Sequence, residues 1–209
     1  MSPADEFERI RRERIDEGEP QMTTMIFLFH PDLSRSRANA ALAKAVAGQQ
    51  RLEVVDMTAL YPMGIDMERD GECEAARLLG ADRIVLQFPM QWYSTPPLLK
   101  AWQDAVLTRM GYIYPETEGA GLAGKPIMIA TTMGAAEETY RCDGRNRVTV
   151  PELLAPLRAT ANRLAMDWCD PFLVYNADGL DAPALAEAEQ GYRDALSCFA
   201  ELSSRAKAT

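Results

Sequence analysis

The chain has 209 residues, 47% of them hydrophobic and 25% charged, which is typical of a single globular domain with a sizeable core. Its formal net charge of −9 argues against nucleic acid or an anionic membrane surface as the main partner, since both require a basic face. Four scattered cysteines and a single histidine predict neither a metal site nor a disulfide framework. We therefore expect reduced thiols and no bound metal.

The first 21 residues are dense in charges of both signs and poor in core residues, which predicts a flexible arm outside the fold. Residues 22–209 are then predicted to form one domain. No apolar run approaches the roughly 18 residues of a membrane span, and the N-terminus lacks the apolar centre of a signal peptide. We therefore expect a cytoplasmic protein.

The first predicted strand is the apolar run MIFLF, residues 25–29. An alanine-rich helix follows, with Ser34, Ser36 and Asn39 at its start and Gly48 at its end. A helix N-terminus presents unpaired N–H groups and the positive end of a dipole, so this turn predicts a phosphate site. The alternative is that a serine only caps the helix, and the two interpretations are compatible.

Two further strands and two helices are predicted next. RLEVVD, residues 51–56, is typical of an edge strand, and RIVLQ, residues 83–87, of a buried one. Residues 72–80 predict a short helix between them, and residues 98–110 predict a longer helix after the second. The alternation is βαβαβ, which indicates a parallel sheet.

The loop between the RIVLQ strand and the next helix reads FPMQWYSTPP. Pro89 restrains the exit from the strand, and Pro96 and Pro97 suit the first turn of the helix, where a missing N–H costs little. Between them, Trp92 and Tyr93 lie beside free backbone donors. This combination suits a flat ligand with heteroatoms along its edge. The alternative is that the two rings only close the end of the core.

KPIMIATT, residues 125–132, predicts the fourth strand. The loop before it satisfies G-x-G-x-x-G, but these glycines precede a strand instead of opening a helix, and Pro126 stands where a P-loop needs Ser or Thr. We therefore discard both nucleotide motifs. At the exit of the strand, the small residues Thr131, Thr132 and Gly134 would let the backbone approach a flat ring closely.

Helices over residues 152–164 and 183–205, with a fifth strand over residues 171–175, complete the predicted elements. The alternation predicts the α/β class, with a doubly wound, five-stranded parallel sheet of order 2-1-3-4-5. The three chemically suggestive loops follow strands one, three and four. We expect them to meet at one edge of the sheet.

The FPMQWYSTPPLLK segment closely resembles the active-site loop of the flavodoxin-like NAD(P)H:quinone oxidoreductases, which include ancillary subunits of glutathione-gated potassium efflux systems. The resemblance extends over about residues 25 to 200. That family's phosphate pattern is matched at His30, Pro31, Ser36 and Asn39. Its T-T-G-G turn is matched by TTMG, where Met133 departs from the pattern.

This resemblance implies a flavin site and two catalytic tyrosines. The flavin-binding positions that it implies are His30, Ser36, Arg37, Ala38, Asn39, Met90, Gln91, Trp92, Tyr93, Thr131, Thr132, Met133 and Gly134. Tyr140 matches the active-site tyrosine near the hydride acceptor, which some relatives pair with a downstream histidine that this chain lacks. Tyr114 matches an aromatic residue that overhangs the flavin pocket, often that of the neighbouring subunit; surface packing is the alternative.

The implied activity is two-electron, ping-pong hydride transfer from NAD(P)H through flavin N5 to a quinone-type acceptor. FMN is the expected cofactor, with FAD as the alternative, and a homodimer is expected by resemblance. Two other functions stay open: a redox-regulatory subunit of a membrane potassium-efflux transporter, and a one-electron flavodoxin-type carrier. The RCDGRNR stretch, residues 141–147, holds three arginines that either bind the phosphate of NADPH or are solvated loop charges.

Overall fold

A parallel sheet forms the centre of the molecule in the computed structural model, which describes the backbone of residues 22–206 and the side chains of residues 22–201. The predicted N-terminal arm, residues 1–21, lies outside the described residues. The strand order is β2-β1-β3-β4-β5, with β6 also paired to β4, which confirms the predicted class and order. The strands are β1 (Thr24–Leu28), β2 (Leu52–Asp56), β3 (Arg83–Pro89), β4 (Pro126–Thr132), β5 (Asp167–Trp168) and β6 (Phe172–Val174).

The fifth position of the sheet is divided between two short strands, whereas the sequence predicted one strand over residues 171–175. β5 pairs with the start of β4, and β6 pairs with its end, in register from Ala130 with Phe172. Pro171 interrupts the ladder because its nitrogen has no hydrogen to donate. At the edge of a sheet such a break leaves few backbone groups unpaired.

Seven α-helices are described among residues 22–206. They are α1 (Ala38–Val46), α2 (Met57–Leu60), α3 (Met67–Gly80), α4 (Pro97–Trp102), α5 (Val150–Leu153), α6 (Ala155–Arg163) and α7 (Ala182–Ala206). Two π-helical segments, Gln103–Leu107 and Arg109–Ile113, continue α4 with only Thr108 between them. α3 begins earlier than predicted, because the Asp66 side chain caps it by accepting bonds from the backbone of Glu68 and Arg69, both at 3.0 Å.

The core has one layer on each face of the sheet. On one face the strands pack against α3, α4 and α6, and the Phe27 and Trp102 rings lie 5.5 Å apart. On the other face Ile26 packs with Tyr192 of α7. Alternate residues of β1 thus serve opposite layers, as a strand covered on both faces requires.

One carboxylate is fully buried in the first layer. Glu74 of α3 accepts hydrogen bonds from the Tyr61 hydroxyl at 2.7 Å, the Trp102 indole at 2.9 Å and the Arg77 guanidinium at 3.0 Å. Burial, followed by the bond to Glu74, raises the pKa of Tyr61 well above its usual range. These bonds tie α3 to α4, and a buried charge is tolerated because its oxygens are satisfied.

The loops that follow β1, β3 and β4 all leave from the carboxyl edge of the sheet, as expected for parallel strands. The three loops therefore lie together at the carboxyl edge, which is the candidate site.

Within the described part of the chain, no helix has both the length and the apolar character needed to cross a bilayer.

Candidate active site

Trp92 and Tyr93 form the tip of a tight turn after β3. Their φ angles are 46° and 64°, in the left-handed region. Gln91 N–H donates to the Ser94 carbonyl at 2.9 Å and Ser94 N–H donates to the Gln91 carbonyl at 3.0 Å. Positive φ at both central residues is the geometry of a type I′ turn, which favours Asn and Gly. Two aromatic residues there cost on the order of 1–3 kcal/mol each.

This strained turn is also exposed. The Trp92 side chain is 93% exposed and Tyr93 is 46% exposed. The alternative that these rings close the end of the core is therefore wrong for Trp92. Backbone strain that holds a bare indole in solvent brings no packing in return, so it points to a binding function.

The turn also defines which donors are free. The N–H groups of Gln91 and Ser94 are used within the turn, whereas those of Trp92 and Tyr93 have no acceptor among the described residues. The preceding residue, Met90, donates its N–H to the Thr132 carbonyl at 2.8 Å, and its side chain packs on the core. Of the predicted residues of this loop, Trp92 and Tyr93 therefore offer backbone donors to a ligand.

The predicted phosphate turn lies at the start of α1. Ser36 caps the helix weakly, because its hydroxyl accepts from Ala40 N–H at 3.3 Å. The backbone N–H groups of Arg37, Ala38 and Asn39 have no acceptor in residues 22–206. Three consecutive free amides at a helix N-terminus suit a phosphate. The weak serine cap is thus compatible with a phosphate site at these amides.

His30 contributes a neutral imidazole to the same turn. Its Nδ1 accepts a hydrogen bond from Asp32 N–H at 3.1 Å, so the ring hydrogen of the neutral form is on Nε2. Burial lowers the pKa of His30, although the Asp32 contacts oppose the shift. At neutral pH, His30 is therefore an uncharged donor.

The side chain of Asn39 points inward, away from the turn. Its Nδ2 donates to the Thr132 hydroxyl at 2.7 Å, and Gln87 Nε2 donates to the Asn39 backbone carbonyl at 3.0 Å and to its side-chain Oδ1 at 3.3 Å. The Tyr192 hydroxyl in turn donates to Gln87 Oε1 at 3.0 Å. All four residues are buried. If Asn39 contacts a phosphate, it does so through its backbone N–H, and its side chain holds the turn in place.

Sequence reasoning missed Gln87 and Tyr192. Gln87 had a signal, since it is a polar residue in an otherwise apolar strand and a buried amide must find partners. Tyr192 had none, because it lies 105 residues away along the chain and looks like any apolar position of an amphipathic helix.

The TTMG turn after β4 brings a buried hydroxyl and a glycine to the same edge. Thr131 Oγ1 is buried and has no hydrogen-bond partner among the described residues. Gly134 is exposed, and its N–H is free in the part of the chain that the structure describes. Met133, the departure from the family pattern, is 1% exposed and points into the core, so its side chain does not obstruct the edge.

Tyr140 lies beside this turn. Its ring centroid is 5.9 Å from that of Tyr175, a neighbour that the sequence did not indicate. Burial, with a smaller contribution from the nearby Tyr93, raises the pKa of Tyr140. The Tyr93 hydroxyl donates to Asn146 Oδ1 at 3.2 Å, which joins the loop after β3 to the loop after β4. Tyr140 and Tyr93 therefore belong to one cluster.

Tyr114 is not part of this cluster within one chain. It follows the π-helical segment that extends α4, and the helical run over residues 97–113 spans roughly 20–25 Å away from the carboxyl edge. Its ring is stacked under the Arg109 guanidinium at 4.4 Å. The structure thus gives Tyr114 a surface environment within one chain.

The residues of this edge fit a flavin nucleotide. The free amides of α1 suit its phosphate, and the exposed Trp92 and Tyr93 offer ring faces and backbone donors. On the opposite side, the exposed Gly134 adds a free backbone N–H, and the Thr131 hydroxyl is buried without a partner at the end of the neighbouring strand. A parallel sheet in this order, with free helix N-terminal amides after its first strand, defines a protein of the flavodoxin-like class.

Residues 22–196 match the family described as having a flavodoxin-like fold, and the chain belongs to that family. Among its relatives is the glutathione-regulated potassium-efflux system ancillary protein KefF of Klebsiella pneumoniae (strain 342), 36% identical over 172 residues that cover 82% of this chain and 93% of that protein.

Two solved structures are also similar. The general stress protein 14 of Treponema denticola in complex with FMN is 34% identical, with a TM-score of 0.74 over 86% of this chain and 99% of that one. An NADPH-quinone reductase from P. pentosaceus is 26% identical, with a TM-score of 0.68 over 82% of this chain and 95% of that one.

Proposed function

We propose that this protein is an FMN-dependent NAD(P)H:quinone oxidoreductase. The observation that carries the proposal is the strained Trp92–Tyr93 turn, which exposes both rings and two free backbone N–H groups at the carboxyl edge of the sheet. The FMN complex of the Treponema relative and the name of the P. pentosaceus reductase support the cofactor and the reaction.

In this proposal each loop of the carboxyl edge has one task. The free N–H groups of Arg37, Ala38 and Asn39 bind the phosphate. The neutral imidazole of His30 adds its Nε2–H as a further donor. The N–H groups of Trp92 and Tyr93 bond the edge of the ring system. The FMN complex of the Treponema relative supports the choice of FMN over FAD.

When bound, the flavin supplies a carrier that takes two electrons from a reduced nicotinamide and passes them to an acceptor. Tyr140 keeps its hydroxyl proton throughout the neutral range, because burial raises its pKa, so it can donate a hydrogen bond to an acceptor oxygen. Backbone donors aimed at the ring edge stabilise negative charge that develops there. In the proposed ping-pong mechanism, the oxidised nicotinamide leaves before the acceptor takes its place.

An anaerobic absorbance experiment tests the proposal. The purified protein is reconstituted with FMN, mixed with NADH or NADPH, and then with a soluble benzoquinone. We expect the flavin bands to bleach and to return when quinone is added. Initial rates at several quinone concentrations should then give parallel double-reciprocal lines. If the protein binds no flavin, the proposal fails; if flavin binds but neither nucleotide reduces it, the enzyme assignment fails.

We also propose a homodimer, in which Tyr114 of a second copy reaches the site. A groove of about 460 Å³ runs from Met90 and Ser94 along the π-helical segment to Arg163 on α6. Tyr112, 68% exposed, lines this groove next to the exposed Ile113 and Tyr114. An exposed apolar strip beside a groove is typical of an interaction surface. Light scattering should give twice the monomer mass, and Tyr112→Glu should halve it.

A second candidate function is supported by the likeness to KefF, whose name assigns it to a potassium-efflux system. In that role the protein would bind a membrane transporter and regulate it by its redox state. Copurification with such a transporter that is lost when the Trp92 turn is altered would support this regulatory role. The one-electron carrier stays as the remaining alternative, and a stable blue radical on partial reduction would favour it.

A further inference from the structure

An arginine-rich loop stands beside the proposed site and has no part in the function described above. Residues 141–147 carry three arginines in a chain with a net charge of −9. Arg141 is paired, because its Nε donates to Asp143 Oδ1 at 3.1 Å. Arg145 and Arg147 are exposed, and neither has a carboxylate partner among residues 22–201. Two unpaired guanidinium groups are therefore available to an anion.

This loop is held in a defined shape. Asn146 N–H donates to the Thr139 carbonyl at 3.1 Å, and Arg147 N–H donates to the Gly144 carbonyl at 3.1 Å. A Cβ at Gly144 would lie 2.4 Å from the Glu138 carbonyl oxygen, so the loop packs closely on the preceding turn. The backbone that carries both arginines is thus fixed by its own contacts.

The loop is also attached to the candidate site. Asn146, between the two arginines, accepts the hydrogen bond from the Tyr93 hydroxyl at 3.2 Å. Arg147 has a φ of 51°, a left-handed backbone conformation that is uncommon for arginine. The hydrogen bond from Tyr93 to Asn146 therefore holds the backbone of both arginines next to the candidate site.

We propose that Arg145 and Arg147 bind the 2′-phosphate of NADPH and make the protein selective for NADPH over NADH. This inference rests on the proposed function. A phosphate monoester carries nearly two negative charges and three terminal oxygens, which matches two guanidinium groups. NADH has a neutral hydroxyl at that position and gains little from either arginine. The pyrophosphate is common to both nucleotides and would give no selectivity.

The kinetic test compares kcat/KM for NADPH and NADH in the FMN-loaded protein. We expect the wild type to prefer NADPH, and Arg145→Gln with Arg147→Gln to lower kcat/KM for NADPH by about tenfold per arginine. In the same variant, kcat/KM for NADH should change less than about twofold. The matched control, Lys44→Gln with Arg51→Gln, removes the same charge from exposed positions away from the carboxyl edge and should change neither value.

A binding measurement separates this inference from the proposed activity. Calorimetric titration with 2′,5′-ADP, which carries the 2′-phosphate, is compared with titration by 5′-AMP, which lacks it. Arg145→Gln with Arg147→Gln should weaken 2′,5′-ADP binding at least about tenfold and leave 5′-AMP binding unchanged. Arg145→Lys with Arg147→Lys, which keeps the charge but not the forked donors, should give an intermediate affinity for 2′,5′-ADP.

Equal losses for both nucleotides, or no preference in the wild type, would overturn the selectivity proposal while leaving the oxidoreductase in place. Conversely, a protein that oxidises neither nucleotide yet binds 2′,5′-ADP through these arginines would contradict only the proposed activity. If Arg145→Gln with Arg147→Gln binds 2′,5′-ADP as tightly as the wild type, the proposed 2′-phosphate subsite is wrong.

Discussion

The Nδ2 atom of Asn39 donates a hydrogen bond to the Thr132 hydroxyl at 2.7 Å, across 93 residues of sequence. The bond joins the first turn of α1, which offers free amides, to the end of β4, which carries the turn on the other side of the site. Through Gln87 and Tyr192 the same network reaches α7. The proposed phosphate turn is thus held in position by buried side chains.

Removing this bond should therefore affect the phosphate more than the ring. For Asn39→Ala we expect FMN to bind about tenfold more weakly and riboflavin, which has no phosphate, to bind unchanged. Fluorescence quenching of each flavin gives both constants. Asn162→Ala, at an exposed position of α6, serves as the control. Equal weakening of FMN and riboflavin would show that the network supports the fold and not the phosphate turn.

The two adjacent threonines of β4 should respond in opposite ways to the same substitution. Thr131→Val removes a buried hydroxyl without a partner, so the flavin-free protein should gain about 1 kcal/mol of unfolding free energy. Thr132→Val removes the acceptor of Asn39 and should lose about 1–3 kcal/mol. Urea denaturation measures both. In the presence of FMN, the gain for Thr131→Val should shrink if the hydroxyl bonds the cofactor; an unchanged gain argues against that contact.

We expect the strained turn after β3 to lower the stability of the flavin-free protein and to contribute to FMN binding. Replacing Trp92 with Asn and Tyr93 with Gly supplies the residues that a type I′ turn favours, so the flavin-free protein should become more stable by about 1 kcal/mol, after loss of the Tyr93–Asn146 bond. FMN affinity should fall by roughly 1–3 kcal/mol because both rings are gone. A variant that is less stable without flavin would mean that the observed turn is not strained.

His30 should make stability depend on pH in the acid range. Burial lowers its pKa below the ordinary value of 6.5, so below that pH the unfolded chain binds a proton that the folded protein resists. This contribution is fully present above pH 6.5 and is lost as the pH falls through the folded pKa. His30→Asn retains an acceptor for Asp32 N–H but does not titrate. Its unfolding free energy should fall less than that of the wild type between pH 7 and 5, and parallel curves would contradict the assignment.

Much of the fold could be predicted because its causes are local. The continuous apolar runs in β1, β3 and β4 identify strands covered on both faces, and the helices between them require parallel pairing. Pro89, Pro96 and Pro97 indicated where the loop between β3 and α4 begins and ends. The same local reasoning failed at Asp66, where a charged helix start offers no apolar periodicity, and at Pro171, which divides the fifth strand.

The sequence by itself determined the elements, their order and the three loops that meet at the carboxyl edge, because periodicity and turn chemistry act over a few residues. The tertiary structure decided which atoms are free. It turned the Asn39 side chain inward toward Thr132, left Thr131 without a partner, and placed Tyr114 far from the site. These outcomes depend on strand register and on helices packed across the sheet, so they follow from contacts between residues that are distant in the chain.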